Sequence, residues 1–488
     1  MPGVPSGRGC DACRKQKKKC DQSKPSCSRC TRLQIPCIGC GEQRYKFKDQ
    51  KMVFRSAGFQ AAQGVVSVST VPALPRIPSN QTTMVASAFV SQLEVTDIRY
   101  DLTCYGAFLR HIPRRLGTNA ALDASVGAVT SAFSSLHTGQ HSLDALTKYI
   151  HALKTLRVCL NDPVRARTVD TLCAIYLIMI CQSWIGKHDD QSTNHGEGIA
   201  YILKVATFQK WQGSLEVEML ITLSVPVIVE SITNPKIQLN SWFWKFLEAY
   251  RPPKPPRRED PGITRDEGSD AVHIPSLRLR NLAKIPDFVQ DPGRHLLDMR
   301  NAYQELRADS QKVRQLVDES RPISGISTLP LATPQMRLHR DYQTAYGILL
   351  SLIMILCGLL RAYDPYDTAF AEDSISFGDE IIALAKEASK YRPLGAGYIP
   401  LCLATAWATI GDTTRRAIVE MLLSEYQKDF AELRWMNMAM WWRTKFDTLR
   451  LNLSTCHEDM QENHYKAFNA TGSEEGMTGR GSNMCCVQ

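Results

Sequence analysis

The stretch from Cys10 to Cys37 reads CDACRKQKKKCDQSKPSCSRCTRLQIPC and decides the N-terminal fold. Its six cysteines, Cys10, Cys13, Cys20, Cys27, Cys30 and Cys37, follow one spacing twice. That spacing is C-x2-C-x6-C, with a gap containing Pro25 between the two copies. Two tetrahedral zinc ions need eight ligand positions, and six thiolates fill eight only when two of them bridge both metals. The duplication points to the first sulfur of each half, Cys10 and Cys27, as the bridges. Cys13 and Cys20 then complete one site, and Cys30 and Cys37 the other.

Residues 1–44 hold few large apolar side chains, so this segment cannot build a core and needs a staple. Structural zinc supplies about 10–16 kcal/mol of folding free energy in small zinc-finger peptides, enough to replace a core. A disulfide framework would require a secreted chain, and no apolar stretch behind Met1 resembles a signal peptide. No βαβ pattern surrounds the CxxC pairs, which argues against a thioredoxin-like redox site. Cys40 adds a further CxxC with Cys37, but its distance from Cys30 departs from the repeat, and it reads as a spare thiol.

With these residues in view, the stretch resembles the fungal zinc binuclear cluster DNA-binding domain of six-cysteine transcription regulators. The cysteine spacing, the basic run after Cys13 and the Lys24-Pro25 turn all match, over about a tenth of the chain. The resemblance implies two Zn2+ ions and a short helix laid in the major groove of double-stranded DNA. It also implies a nuclear protein that regulates transcription by RNA polymerase II together with the transcription machinery. Arg14, Lys15, Gln16, Lys17, Lys18 and Lys19 fill the first six-residue gap, where one helical turn would fan them toward DNA. The family usually places two adjacent basic residues at the positions of Gln16 and Lys17, and these reach base edges. Lys17 matches and can donate to guanine O6 and N7. Gln16 departs from the pattern; a glutamine amide pairs better with adenine than with guanine, so the resemblance does not by itself carry the family's usual CGG triplet over at one base. Arg14 and Lys19 correspond to phosphate-holding positions, and Lys24, Arg29 and Arg32 are assigned the same role. Lys15 and Lys18 are expected to be solvated or to face phosphate.

Charge placement gives a second argument. Residues 1–58 carry 14 Lys and Arg against 4 Asp and Glu, a formal +10, whereas the whole chain is +9. All the net positive charge therefore lies on the cysteine module and its immediate tail. Six thiolates with two zinc ions would lower it to about +8. A basic module on a neutral body is the electrostatic footprint of nucleic-acid binding; a nuclear-import signal is compatible with the same run.

Residues 45–85 read as a basic and aromatic arm, from Arg44 and Tyr45 to Phe54 and Arg55, followed by a flexible linker rich in Ser, Thr, Pro, Gly and Val. No apolar heptad is sustained there, so coiled-coil dimerisation by this route is not expected. Residues 86–450 read as one all-helical body, with helices over roughly 93–110, 143–160, 198–206, 215–232, 295–317, 338–362, 379–391, 413–427 and 428–450. Asp162-Pro163 is expected to open a helix that includes the apolar stretch Val169 to Ile185, and residues 251–293 read as an exposed loop rich in proline and charge. The order of Tyr149, Leu153, Leu156, Leu160 and Asn194-His195-Gly196-Glu197-Gly198 loosely resembles the all-helical regulatory region of the same regulators. That resemblance would allow a small-molecule effector.

Other features are read conservatively. His188, Asp189, Asp190, His195 and Glu197 fit a polar interhelical loop better than a metal site. The uncharged run Thr344 to Leu360 falls short of a membrane span of ~20 residues and reads as a core helix, and membrane association is not expected. Trp435, Trp441 and Trp442 with Met436, Met438 and Met440 fit core packing. Residues 451–488 read as a polar tail ending in Cys485-Cys486-Val487-Gln488, which fits a prenylation box on Cys485; no polybasic stretch precedes it to supply the second anchor. No P-loop, dinucleotide-binding glycine pattern, HExxH or GxSxG elbow occurs, and the chain is not expected to be an enzyme. Set against a DNA-binding regulator are a zinc module for protein or RNA assembly and a prenylated, membrane-tethered regulator.

Overall fold

The chain repeats its backbone as it repeats its cysteines, and the first of its two units, Met1–Pro75, is built on that repeat. The computed structural model describes residues 5–6, 9–38, 44–45, 80–138, 142–185, 195–209, 211–250, 274–322, 333–430 and 434–471. Helix α1 spans Asp11–Lys15 and helix α2 spans Ser28–Arg32. Each ends on a left-handed residue, Lys17 at φ 51° and Gln34 at φ 50°. In each, the next amide returns to the carbonyl of the half's second cysteine: Lys18 N to Cys13 O at 2.9 Å, and Ile35 N to Cys30 O at 3.1 Å. These are the six-to-one bonds of a Schellman ending, a position where glycine is usual. A side chain held there costs about 1–2 kcal/mol, small beside the metal contribution of about 10–16 kcal/mol. The two-residue strands β1, Pro5–Ser6, and β2, Arg44–Tyr45, pair antiparallel, and Asp11 N donates to Ile38 O at 3.1 Å to close the module.

The second unit, Arg76–Gln488, is helical, with no strand among its described residues. Around its first core stand α3 (Gln81–Leu93), α4 (Ala120–Thr138), α5 (Leu143–Leu160), α6 (Val169–Ile185), α7 (His195–Gln209), α8 (Ser214–Thr233) and α9 (Ser241–Ala249). Leu122 and Val126 of α4, Leu172 and Ile178 of α6, and Leu220 and Leu223 of α8 interlock there. After the short α10 (Leu279–Leu282) come α11 (Ile285–Gln290), α12 (Leu296–Glu319), α13 (Pro334–Tyr363), α14 (Thr368–Ala388), α15 (Ile399–Thr409), α16 (Thr413–Tyr426) and α17 (Trp435–Thr471). Their core centres on Leu349, Ile353, Leu356 and Leu360 of α13. The most apolar window of α13 is 78% buried. By length and composition α13 could cross a membrane, but its neighbours cover it as they would a core helix. Gly347 and Gly358 are where aromatic rings seat: a Cβ on Gly358 would lie 2.6 Å from the Phe446 ring. The Trp and Met group joins the same core through Trp442, Trp435 and Met438, while Met440 is exposed.

A small cysteine-held module and an all-helical body, each a unit of its own, match the expected fold class. Several local expectations need correction. The helix expected over 93–110 is instead α3, ending at Leu93, followed by 3-10 turns at Ile98–Tyr100, Leu102–Tyr105 and Ala107–Arg115. The carboxylates of Asp97 and Asp101 accept from the amides two residues on, at 2.9 and 3.0 Å, which diverts the backbone from a continuous helix. Asp162 likewise opens no helix: its carboxylate accepts from the amides of Val164 and Arg165, at 2.9 and 3.3 Å, ahead of a 3-10 turn at Arg165–Arg167; Thr168 Oγ1 receives the Thr171 amide at 3.3 Å as α6 begins. Helix α3 starts inside the expected linker because Asn80 Oδ1 accepts from Thr83 N at 2.7 Å. Within the expected exposed loop 251–293, residues 251–273 lie outside the described residues, whereas Ile285, Phe288 and Val289 are core residues of α11. Helix α14 begins at Thr368, ahead of the expected 379, capped by Asp367. The expected tail is helical as far as Thr471, because no glycine or proline interrupts α17.

Candidate metal centre and nucleic-acid interface

Among the described residues the first unit buries only cysteines as its apolar cluster: Cys10, Cys13, Cys27 and Cys30, with Cys20 and Cys37 half-buried against them. Their sulfurs fall into two groups of four, Cys10, Cys13, Cys20 and Cys27, and Cys10, Cys27, Cys30 and Cys37. Within each group every sulfur lies within 4.8 Å of the others. Cys10 Sγ is 3.8 Å from Cys27 Sγ and 3.5 Å from Cys30 Sγ, and Cys13 Sγ is 3.8 Å from Cys27 Sγ. A tetrahedral ion with Zn–S bonds of ~2.3 Å sets sulfurs ~3.8 Å apart. The donor set fits zinc in both spacing and softness.

The backbone around the sulfurs repeats as well. Cys30 N donates to Cys27 Sγ at 3.4 Å, and Cys27 N donates to Cys37 Sγ at 3.3 Å. The amide of Cys13 and the amide of Cys30 draw the thiols of Cys10 and Cys27, respectively, below their ordinary range, by favouring the thiolate. Burial pushes the Cys13 and Cys30 thiols up. Asp21 ties the two halves: its carboxylate accepts from Ser28 Oγ, from Ser23 Oγ at 2.8 Å, and from Ser28 N at 3.1 Å. Those bonds hold it down at about 2.

The basic run is placed by this frame. Arg14 and Lys15 lie in α1, and Gln16, Lys17, Lys18 and Lys19 follow it. One helical turn was expected to carry all six; instead α1 stops at Lys15, and the left-handed Lys17 turns the chain so that Lys18 N can close on Cys13 O. Lys15, Gln16, Lys17, Lys18 and Lys19 are exposed, as is Lys24. The equivalent positions in the second half, Thr31 to Pro36, carry one charge, Arg32. Two halves of one backbone thus differ in charge, with five cations in the first six-residue gap against one in the second.

Arg29 is the residue that sequence reasoning placed differently. It does not simply extend into solvent: its Nη2 donates to Gln16 Oε1 at 2.6 Å, and Nη1 lies 3.9 Å from Cys13 Sγ. The repeat makes Arg29 the counterpart of Ala12, which gives no sign of this contact.

Cys40, Lys46 to Arg55, His188, Asp189, Asp190 and Cys485 lie outside the described residues. His195 and Glu197 fall on the first turn of α7 rather than in a loop, and Glu197 accepts from Asn234 Nδ2 at 3.2 Å, joining α7 to the end of α8. A cleft of about 190 Å³ in the helical body is lined by Ser276, Asn281, Lys284, Asp298 and Glu305 among others. It is smaller than the ~300–1,000 Å³ of pockets that take drug-sized ligands.

Comparison with known families agrees with the geometry. Residues 8–46 match the family model of the fungal Zn(2)-Cys(6) binuclear cluster domain. A domain of this kind binds two zinc ions, and its family comprises DNA-binding regulators of transcription. No curated protein and no solved structure matches the chain.

Proposed function

We propose that the chain, which carries a two-zinc, six-cysteine domain at its N-terminus, is a sequence-specific regulator of transcription by RNA polymerase II. It acts in the nucleus on a short GC-containing triplet. The observation that carries this reading is the asymmetry of the two halves: one backbone fold and one sulfur framework, with the exposed basic run on the first half alone. In this reading Cys10 and Cys27 bridge the metals, Cys13 and Cys20 complete one site, and Cys30 and Cys37 complete the other. Gln16 and Lys17 face base edges in the major groove, where Lys17 donates to guanine. Arg14, Lys15, Lys18, Lys19 and Lys24 hold phosphates and set the register. The helical body serves as the regulatory region, contacting the transcription machinery and a small-molecule effector.

Selection of bound sequences from random duplexes by the full chain tests this. A short GC-containing triplet should be enriched, with affinity falling steeply as salt rises. Lys17→Ala should relax preference at one base pair by about 1–3 kcal/mol, whereas Lys19→Ala should weaken all sequences alike and reduce the salt slope by about 1. No enrichment, or a preference for single strands or RNA, would favour an assembly module and overturn the regulator reading.

A further inference from the structure

Gln16 and Arg29 meet across the two halves of the module, 13 residues apart, with Arg29 Nη2 at 2.6 Å from Gln16 Oε1. A guanidinium has five donors and no acceptor, so the atom facing it must be the amide oxygen. That fixes an orientation otherwise ambiguous for a glutamine. Gln16 is exposed and Arg29 half-buried, so Arg29 works from behind, anchored next to Cys13 Sγ. The planar amide then turns its NH2 group away from Arg29, and the outward face of Gln16 offers donors. Bidentate reading of adenine needs both ends of the amide in one plane, the oxygen accepting from N6 while the nitrogen donates to N7. Here the oxygen is held by a charged donor, and charge-assisted bonds are the strong ones. Guanine presents two acceptors, N7 and O6, and suits a group that only donates.

We propose that Arg29 is a positioning residue that fixes Gln16 as a hydrogen-bond donor, and that the pair selects guanine over adenine at the base Gln16 faces. This rests on the DNA-reading function proposed above and reverses the preference that an unrestrained glutamine would have. Arg29 thereby takes part in recognition from the half of the module that lacks the basic run.

The test is sequence selection by the full chain, with zinc content measured for each variant. Gln16→Ala identifies the position, as the base pair whose preference is lost. Wild type should prefer guanine there. Arg29→Ala should shift the preference toward adenine, on the order of tenfold, and Arg29→Lys, which keeps one donor for the oxygen, should retain guanine. Should Arg29→Ala lose zinc, Gln16→Glu leaves Arg29 and all six cysteines in place. With only acceptors facing out it should move the preference to cytosine, through its N4 donor. Uniform weakening by Arg29→Ala with the base order unchanged, or an unaltered preference in Gln16→Glu, would overturn the proposal. Selection of no duplex sequence by the wild type would overturn the regulator reading beneath it.

Discussion

Two of the six sulfurs stand in both four-membered groups, and removing one of these should differ in kind from removing any other. Zinc in small structural sites is bound with about 10–16 kcal/mol, so each of four thiolates accounts for roughly 3–4 kcal/mol, or about two to three orders of magnitude in affinity. Cys37→Ala withdraws a ligand from one group only and leaves Cys10, Cys13, Cys20 and Cys27 together. Cys10→Ala withdraws one from each group, a loss of roughly 6–8 kcal/mol over the two ions on the same arithmetic. Native mass spectrometry of the full chain, titrated with a chelator, reads both the number of ions and the order of their loss. Cys37→Ala should pass through a well-populated one-zinc species. Cys10→Ala and Cys27→Ala should lose both ions together, at chelator concentrations orders of magnitude lower. Cadmium replacement adds an independent sign, since two bridged metals couple through the shared sulfur in metal NMR and unbridged ones do not. If Cys10→Ala and Cys37→Ala behave alike, or if Cys13→Ala takes the place of Cys10→Ala, the bridging assignment is wrong.

The helical body offers three more outcomes. Gly358→Ala drives a methyl group into the Phe446 ring, which is 2% exposed; overpacking of about 1–3 kcal/mol should outweigh a helix-propensity gain of about 1 kcal/mol. The melting temperature should fall, and Phe446→Leu in the same chain should recover part of it; an unchanged Gly358→Ala would refute the packing argument. Asp101, buried, accepts from Arg340 at 2.9 Å and Arg337 at 3.1 Å. Asp101→Asn should destabilise the body by about 3 kcal/mol, the low end for breaking a buried pair, because Arg340 keeps Asp341 at 2.8 Å; denaturant unfolding checks the magnitude, and a loss under 1 kcal/mol would contradict it. His339 is fully buried, with Nδ1 3.0 Å from Ser320 Oγ, and burial lowers its pKa from 6.5. A base whose folded pKa is depressed gives stability that is fully present above its unfolded value and lost as pH falls below it. Thermal stability should therefore drop as pH is lowered from about 6.5, with a shallower slope in His339→Gln; equal slopes would exclude His339 as the cause.

The metal centre was legible because its chemistry is written in spacing. Six cysteines in two equal halves leave few ways to satisfy tetrahedral ions, and no burial estimate is needed to see it. The long amphipathic helices α5, α8 and α12 were legible for a related reason, since their apolar spacing carries a period. Helix α4 was missed because small side chains lie on both its faces, Ala121, Ser125, Ala128 and Ala132 buried and Ala120, Ala124 and Gly127 not, which leaves little contrast for a period to show. Helices α9 and α15 were missed too; α15 is apolar on all sides, so no period marks it. The 3-10 region after Leu93 turned on whether Asp97 and Asp101 would cap their own neighbours, a choice that propensity alone does not make. The Arg29–Gln16 bond was hidden for a different reason. It joins residues whose distance is set by two sulfur-held half-turns, and only the folded backbone brings the guanidinium to the amide.

Every buried apolar side chain described in the first unit is a cysteine, and this separates two traits that most domains keep entangled. Side chains from Arg14 to Lys19 can be exchanged without touching the sulfurs, provided position 17 keeps its left-handed turn and position 18 its amide, so target preference can drift through single substitutions at little risk to foldedness. The route is not wholly free. A change at Gln16 also removes the oxygen that Arg29 holds, so this position should change jointly with one 13 residues away. Among relatives that share the cysteine frame, covariation between these two positions would be the historical trace of that bond.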